Sequence, residues 1–158
     1  MSGFVMLPNA LLTHYVYYPK FNGNTMMVYV YLKKLENAEW GYAFPSQKQA
    51  MADLAISDAT FKTQIDTLVN CGLISVGKHK SGSFTNNVYY VHDPIDNAND
   101  FFAEYPQAKA IYDAKQATAE KVGRSRRKAG EAYIEKHAQN EASLSGEQAV
   151  DDVDISWL

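Results

Sequence analysis

Few residues in this chain have the types and spacing that catalysis requires. His14, His79, His92 and His137 are scattered along the sequence, and Cys71 is the single cysteine. A metal site needs several His, Cys, Asp or Glu ligands at short spacings, and a phosphate-binding loop needs clustered glycines. The sequence contains neither pattern. We therefore expect no enzymatic activity, no metal and no other cofactor.

Side chains that can contact nucleic acid lie close together in two parts of the sequence. Ser, Thr, Asn, Gln, His, Lys and Arg make such contacts with phosphates and base edges. The candidates are Ser46, Gln47, Lys48, Ser57, Thr60, Lys62, Thr63, Gln64, Thr67, Lys78, His79, Lys80, Ser83, Thr85, Asn86, Arg124, Arg126, Arg127 and Lys128. Rigid elements must hold these side chains on a common surface if they are to act together.

Two short helices joined by a tight connection are predicted to position the candidates from Ser46 to Thr67. The spacing of apolar residues predicts one helix over residues 47–54 and another over residues 58–70. Ser46 and Ser57 stand directly before them as N-caps, because a serine hydroxyl accepts a hydrogen bond from an early backbone N–H group. The two helices form a helix-turn-helix pair.

The second of these helices has a mixed polar side. The residues expected on or near its exposed side are Thr60, Lys62, Thr63, Gln64 and Thr67. Asp58 and Asp66 oppose binding to phosphates, so either these carboxylates lie off the contact surface or the helix contacts little DNA. A solvated helix face used for protein contacts is the open alternative.

A β-hairpin is predicted after the helices. Residues 73–76 and 88–91 are rich in β-branched and aromatic residues, and the polar segment between them predicts a long tip. Lys78 and Lys80 in this tip can bind phosphate by charge. Phe84 either folds back on the hairpin or inserts into a minor groove, as apolar side chains of some architectural proteins do.

The order helix, turn, helix, hairpin contains three local sequences that resemble a known family. They are PSQ before the first helix, LVNCGLISV at the end of the second, and NNVYYV in the last strand. This stretch resembles the winged-helix domain at the N-termini of phage and plasmid replication initiators and of DnaD-like replisome organisers. In that pattern Ser46 starts the first helix, Ser57 and Thr60 open the recognition helix, and Asn87 with Tyr89 begins the last strand.

The resemblance implies binding of double-stranded DNA. Its second helix would enter the major groove, and the hairpin, or wing, would touch the backbone or the minor groove. It also implies an origin in a phage, a plasmid or another mobile element.

The charges are unevenly distributed. The formal net charge of -3 argues against binding to nucleic acid by bulk electrostatics. Residues 1–97 contain seven Lys/Arg and seven Asp/Glu, residues 98–138 contain eight and six, and residues 139–158 contain none and five. The acidic excess therefore lies in the C-terminal tail. The run from Arg124 to Lys128 either adds non-specific DNA affinity or pairs with acidic residues such as those of the tail.

The C-terminal tail also has the character of a short docking motif. An acidic segment with apolar ends can bind a groove with a basic rim. The expected partner-binding residues are Asp151, Asp152, Asp154, Ile155, Trp157 and Leu158. In the free protein the three aspartates are expected to cover the basic run until DNA displaces them.

These observations predict an α+β, mainly α fold: a winged helix-turn-helix with a C-terminal helical extension and an acidic disordered tail. The boundaries expected are 1–97 for the winged helix, 98–141 for the extension and 142–158 for the tail. The single cysteine, the lack of a signal peptide and the lack of a membrane span favour a cytoplasmic protein. A homodimer or higher oligomer through the C-terminal helices is expected.

The expected function is sequence-specific binding of double-stranded DNA in replication initiation or transcriptional regulation. The alternative is a protein-interaction adaptor, in which the winged helix and the tail recruit a replication or transcription partner.

Overall fold

A computed structural model of the chain describes residues 3–148. The helices of this part are α1 Ala10–Thr13, α2 Gly23–Leu35, α3 Gln47–Leu54, α4 Asp58–Asn70, α5 Ala98–Glu104 and α6 Pro106–Gln148, and the strands are β1 Ile74–Ser81 and β2 Phe84–Val91. They form two compact units, divided in the sequence between Asp113 and Ala114. None of the helices in residues 3–148 is long and apolar enough to cross a membrane.

The helix-turn-helix pair starts at the two predicted caps. The Ser46 hydroxyl accepts a hydrogen bond of 3.1 Å from the backbone N–H of Gln49, and the Ser57 hydroxyl accepts one of 3.1 Å from that of Thr60. Between the helices the chain turns at Ala55, whose φ of 53° places it in the left-handed region. The caps and this turn fix where α3 ends and α4 begins.

The core of the first unit forms where α2 and α4 pack together. Val28 and Leu32 of α2 and Phe61 and Leu68 of α4 are all buried. The ring of Phe61 meets that of Tyr89 in β2 edge-on, with centroids 6.4 Å apart. This contact holds the hairpin against α4.

The hairpin is a two-stranded antiparallel ladder from Ile74↔Val91 to Ser81↔Phe84. The prediction of a long polar tip was wrong, because the strands continue to a two-residue turn. Gly82 at the first turn position has φ +61°, which suits a turn that follows the strand twist. Polar side chains do not prevent backbone pairing, so composition alone did not reveal these strand ends.

A third segment extends this sheet. Ala43 forms an isolated bridge with Tyr89, in which the two residues exchange hydrogen bonds of 2.9 and 2.8 Å. The segment before α3 is thereby attached to β2. The helix pair, the hairpin and this bridge confirm the predicted winged helix-turn-helix.

The first unit extends beyond residue 97, where the sequence analysis placed its boundary. Phe101 of α5 and Ala108 of α6 have no exposed surface. The ring of Tyr112 packs edge-on against Tyr17, with centroids 5.0 Å apart. These aromatic contacts explain why the compact unit continues to Asp113.

Helix α6 also passes the start of the expected tail. It continues through residues 142–148, the last residues that the structure describes. The expected disorder and docking function of the remaining tail concern residues 149–158, which lie outside the described part of the chain.

Candidate nucleic-acid interface

The outer side of α4 is the surface that this kind of motif offers to DNA. Its exposed residues are Ala59, Lys62, Thr63, Asp66, Val69 and Asn70. They recur at intervals of three and four residues, so they share one face of the helix. Lys62 and Thr63 are the members that the sequence analysis had selected.

The charge on this face is nearly balanced. Lys62 Nζ lies 2.7 Å from the carboxylate of Asp58 one turn earlier. Asp66 adds a further exposed carboxylate. The positive charge of Lys62, the single lysine of this face, is therefore neutralised by Asp58. As a result, α4 contributes little net attraction for phosphates.

Two residues expected on the exposed side of α4 are buried instead. Gln64 is 4% exposed, and the Thr25 hydroxyl of α2 donates a 2.5 Å hydrogen bond to its side-chain carbonyl oxygen. Thr67 is 5% exposed and donates to the backbone carbonyl of Thr63 at 3.0 Å. The prediction was wrong because it followed residue type. In helical spacing Gln64 lies beside Phe61 and Leu68.

The cap residues mark the N-terminal ends of α3 and α4. Ser46 and Ser57 are exposed, and Thr60 is half-buried. The hydroxyl oxygen of Ser57 lies 2.9 Å from that of Thr60, in addition to capping the helix. Because these hydroxyls already form hydrogen bonds at the helix ends, their first role is to position the helices.

The hairpin has two chemically different faces, because side chains alternate along each strand. Cross-strand pairs place Lys78 with Asn87 and Lys80 with Thr85 on one face, which we call the lysine face. Tyr89 belongs to the same face and packs on Phe61 of α4. The two lysines of the hairpin therefore lie on the side that meets α4.

A groove runs between the lysine face and the start of α3. Its lining includes Ser46, Gln47, Lys78, Thr85 and Asn87. The ammonium group of Lys78 donates to the side-chain oxygen of Asn87. A smaller adjoining pocket, lined by Gln47, Lys62 and Asn87 among others, connects this groove to α4. The fold thus brings together polar groups from α3, α4 and the wing.

Other candidates from the sequence lie away from this groove. Lys48, Lys80 and Ser83 are exposed but do not line it. His79 lies on the opposite face of the wing, and its ring centroid is 6.3 Å from that of Tyr42. Asn86 lines both this groove and the one on the opposite face.

That opposite face contains a cluster of aromatic residues that the sequence analysis did not select. Trp40 and Phe44 are about half exposed, and their ring centroids lie 5.4 Å apart. Tyr42 links them to Tyr90 of β2, at 5.7 Å. Aromatic residues at positions 40, 42 and 44 were the available signal, but the chain turns at residues 38–41, where Gly41 has φ 72°, so the folded structure was needed to show that these rings lie together.

The basic run belongs to the second unit. Arg124, Arg126, Arg127 and Lys128 are all exposed on α6. Arg124 lies 3.6 Å from Glu120, a surface pair of little energetic weight. Successive residues turn by about 100° around a helix, so Arg124, Arg127 and Lys128 share one face of α6 and Arg126 points to the opposite side.

Arginine is absent from residues 1–113. Bidentate contact between arginine and guanine is the commonest specific contact in the major groove. The residues of the first unit therefore offer no contact of this kind, and its exposed amide, hydroxyl and lysine side chains include those of Thr63 and Lys62.

Cys71 is a structural residue of the first unit. It is 1% exposed, and burial raises the pKa of its thiol to about 12. The sulfur stays protonated at neutral pH and is a poor nucleophile. Among the described residues no group of three His, Cys, Asp or Glu side chains is placed to hold a metal ion.

Together, the helix pair, the wing and the groove between them define a winged helix-turn-helix module, and such modules characteristically bind DNA. In agreement, residues 21–74 match the family model described as a helix-turn-helix domain. The match runs from before α2 to the first residue of β1. No curated protein matches the chain. A helix-turn-helix domain suggests that DNA is a partner.

Proposed function

We propose that this protein binds double-stranded DNA in a sequence-specific manner. Helix α4 would enter the major groove, and the lysine face of the wing would contact the adjacent backbone. One observation supports this most: the groove in which Ser46 and Gln47, at the start of α3, meet Lys78 and Thr85 of the wing. Phosphate contacts by Lys78 and Lys80 would compensate for the balanced charge of α4.

The proposal predicts that the wing lysines dominate affinity in the first unit. Replacing Lys78→Ala together with Lys80→Ala should weaken binding by about tenfold for each phosphate that is no longer neutralised at ~0.1 M salt. The slope of log K against log salt should become shallower by about two. Fluorescence anisotropy with a labelled duplex, titrated at several salt concentrations, measures both quantities.

A matched control is Lys33→Ala with Lys34→Ala, which removes the same charge from α2. This pair should leave affinity and slope close to those of the unchanged protein. Equal losses in the two double variants would show that only net charge matters, and would contradict a role for the wing.

The proposed biological setting is the cytoplasm of a cell that carries a phage, a plasmid or another mobile element. The resemblance to replication initiators and DnaD-like organisers supports a role at a replication origin. Transcriptional regulation uses the same module and suits a chain of this size equally. A footprint within an origin would support replication, and one within a promoter would support regulation.

The balanced charge of α4 favours a second candidate, a protein-interaction adaptor. Asp58 neutralises Lys62, and Asp66 would face any phosphate brought against the helix. In this case the winged helix and the acidic C-terminal tail would recruit a replication or transcription protein. Absence of DNA binding at about 50 mM salt, where phosphate contacts are strongest, would favour the adaptor.

A further inference from the structure

The second unit has apolar side chains that are exposed to solvent. Of its described side chains, from Ala114 to Gly146, none is buried. Tyr133 and Leu144 are 64% exposed, Val122 is 46% exposed, and Ile134, next to Tyr133, is 68% exposed. A helix whose apolar residues all face water gains stability when a second surface covers them.

Three of these residues lie on one side of α6, and Ile134 lies about 100° away from Tyr133 around the helix. Val122, Tyr133 and Leu144 follow one another at intervals of eleven residues. Eleven residues complete about three turns of an α-helix, so the three side chains form one nearly straight stripe. Ala129 and Gly130 lie close to the same stripe, where small residues allow another helix to approach.

We infer that this stripe, Val122, Tyr133 and Leu144, pairs with the same stripe of a second copy of the chain in antiparallel orientation. Tyr133 lies midway between the other two residues. An antiparallel pair centred on Tyr133 therefore places Val122 of each copy beside Leu144 of the other. The same symmetry sets the small Ala129 opposite the larger ring of His137, so the two surfaces are complementary in size.

Charge also favours the antiparallel arrangement. Of the four cations between Arg124 and Lys128, Arg126 lies on the stripe, seven residues before Tyr133, and the other three lie on the far side of the helix. In a parallel pair, Arg126 would face Arg126 of the second copy. In the antiparallel pair it faces the neutral Asn140, so the like charges are separated.

The pairing is expected to be reversible and dependent on concentration. Three large apolar side chains from each helix make an interface smaller than the standard size of stable complexes. The pairing does not require DNA, so its test is separate from any test of DNA binding.

Disulfide cross-linking of the full-length protein tests the orientation. Three single variants are needed, Val122→Cys, Tyr133→Cys and Leu144→Cys. The native Cys71 is 1% exposed, so the unchanged protein serves as a control that should not cross-link. After mild oxidation, Tyr133→Cys should form dimers. A mixture of Val122→Cys with a size-tagged Leu144→Cys should form the mixed dimer.

Neither Val122→Cys alone nor Leu144→Cys alone should cross-link efficiently. In the antiparallel pair each of these positions lies about 33 Å from its own equivalent, from 1.5 Å of rise per residue. Efficient dimers of Val122→Cys alone would overturn the antiparallel arrangement. Absence of dimers in all samples would overturn self-pairing through this stripe.

Sedimentation equilibrium provides a measurement without cross-linking. Tyr133→Glu should raise the dimer dissociation constant at least tenfold, because it places a charge at the centre of the pair. Ala138→Glu introduces the same charge on the opposite side of α6 and should leave association unchanged. Equal association of both variants and the unchanged protein would contradict the proposed interface.

Discussion

At the scale of single residues, position in the helix decides the role of a polar side chain. Thr63 and Gln64 are adjacent on α4, and both are residue types that can contact a base. Thr63 is exposed, whereas Gln64 is buried against Thr25. We therefore expect Gln64 to contribute to stability and Thr63 to be free for contact with a partner.

Replacing Gln64→Ala should destabilise the fold by about 1–3 kcal/mol, because it removes the buried acceptor of the Thr25 hydroxyl and leaves that hydroxyl only the longer contacts with Lys20 and Asn22. Thr63→Ala should change stability by less than about 0.5 kcal/mol, as is usual for exposed positions. Chemical denaturation followed by circular dichroism compares the two. A stability loss in Thr63→Ala as large as that in Gln64→Ala would contradict these assignments.

At the scale of elements, the connection between α3 and α4 contains the main backbone strain of the motif. Ala55 has φ 53°, a conformation that costs an L-residue roughly 1–2 kcal/mol. It closes α3 because its backbone N–H bonds back to the carbonyl of Met51. Glycine would adopt this conformation without the clash of its Cβ atom, at some cost in unfolded-chain entropy.

We expect Ala55→Gly to raise the free energy of unfolding by up to about 1 kcal/mol, since the relief of strain exceeds the entropic cost. Ala52→Gly, within α3, should lower it by about 1 kcal/mol, because glycine is unfavourable inside a helix. Thermal unfolding of both variants shows whether the signs differ. Destabilisation by both would mean that Ala55 is not strained.

At the scale of the whole molecule, the cations are divided between two units. The first unit offers Lys48, Lys62, Lys78 and Lys80 in or near the helix pair and the wing, and Lys62 is already paired. The second unit offers the run from Arg124 to Lys128. Because phosphate contacts add in the salt dependence, the two contributions can be separated by measurement.

Replacing Arg124, Arg127 and Lys128 together by alanine should lower affinity for all duplexes alike. The salt slope should fall by up to about 0.9 for each phosphate that the variant no longer neutralises, while the preference for a specific site should persist. Competition assays with specific and random duplexes at two salt concentrations measure both effects. Loss of site preference in this variant would place sequence recognition in the second unit instead.

The local sequence determined the order of elements and the start of the two motif helices. Ser46 and Ser57 could be identified as caps because a cap bonds to backbone only three residues away.

Tertiary packing decided which side chains are exposed. Gln64 is buried by a residue 39 positions away, and α5 joins the core through Phe101. Strand pairing likewise separated Lys78 from His79, because adjacent side chains in a paired strand point to opposite faces. Contacts between distant segments have no local signal, so only the folded structure located the groove between α3 and the wing.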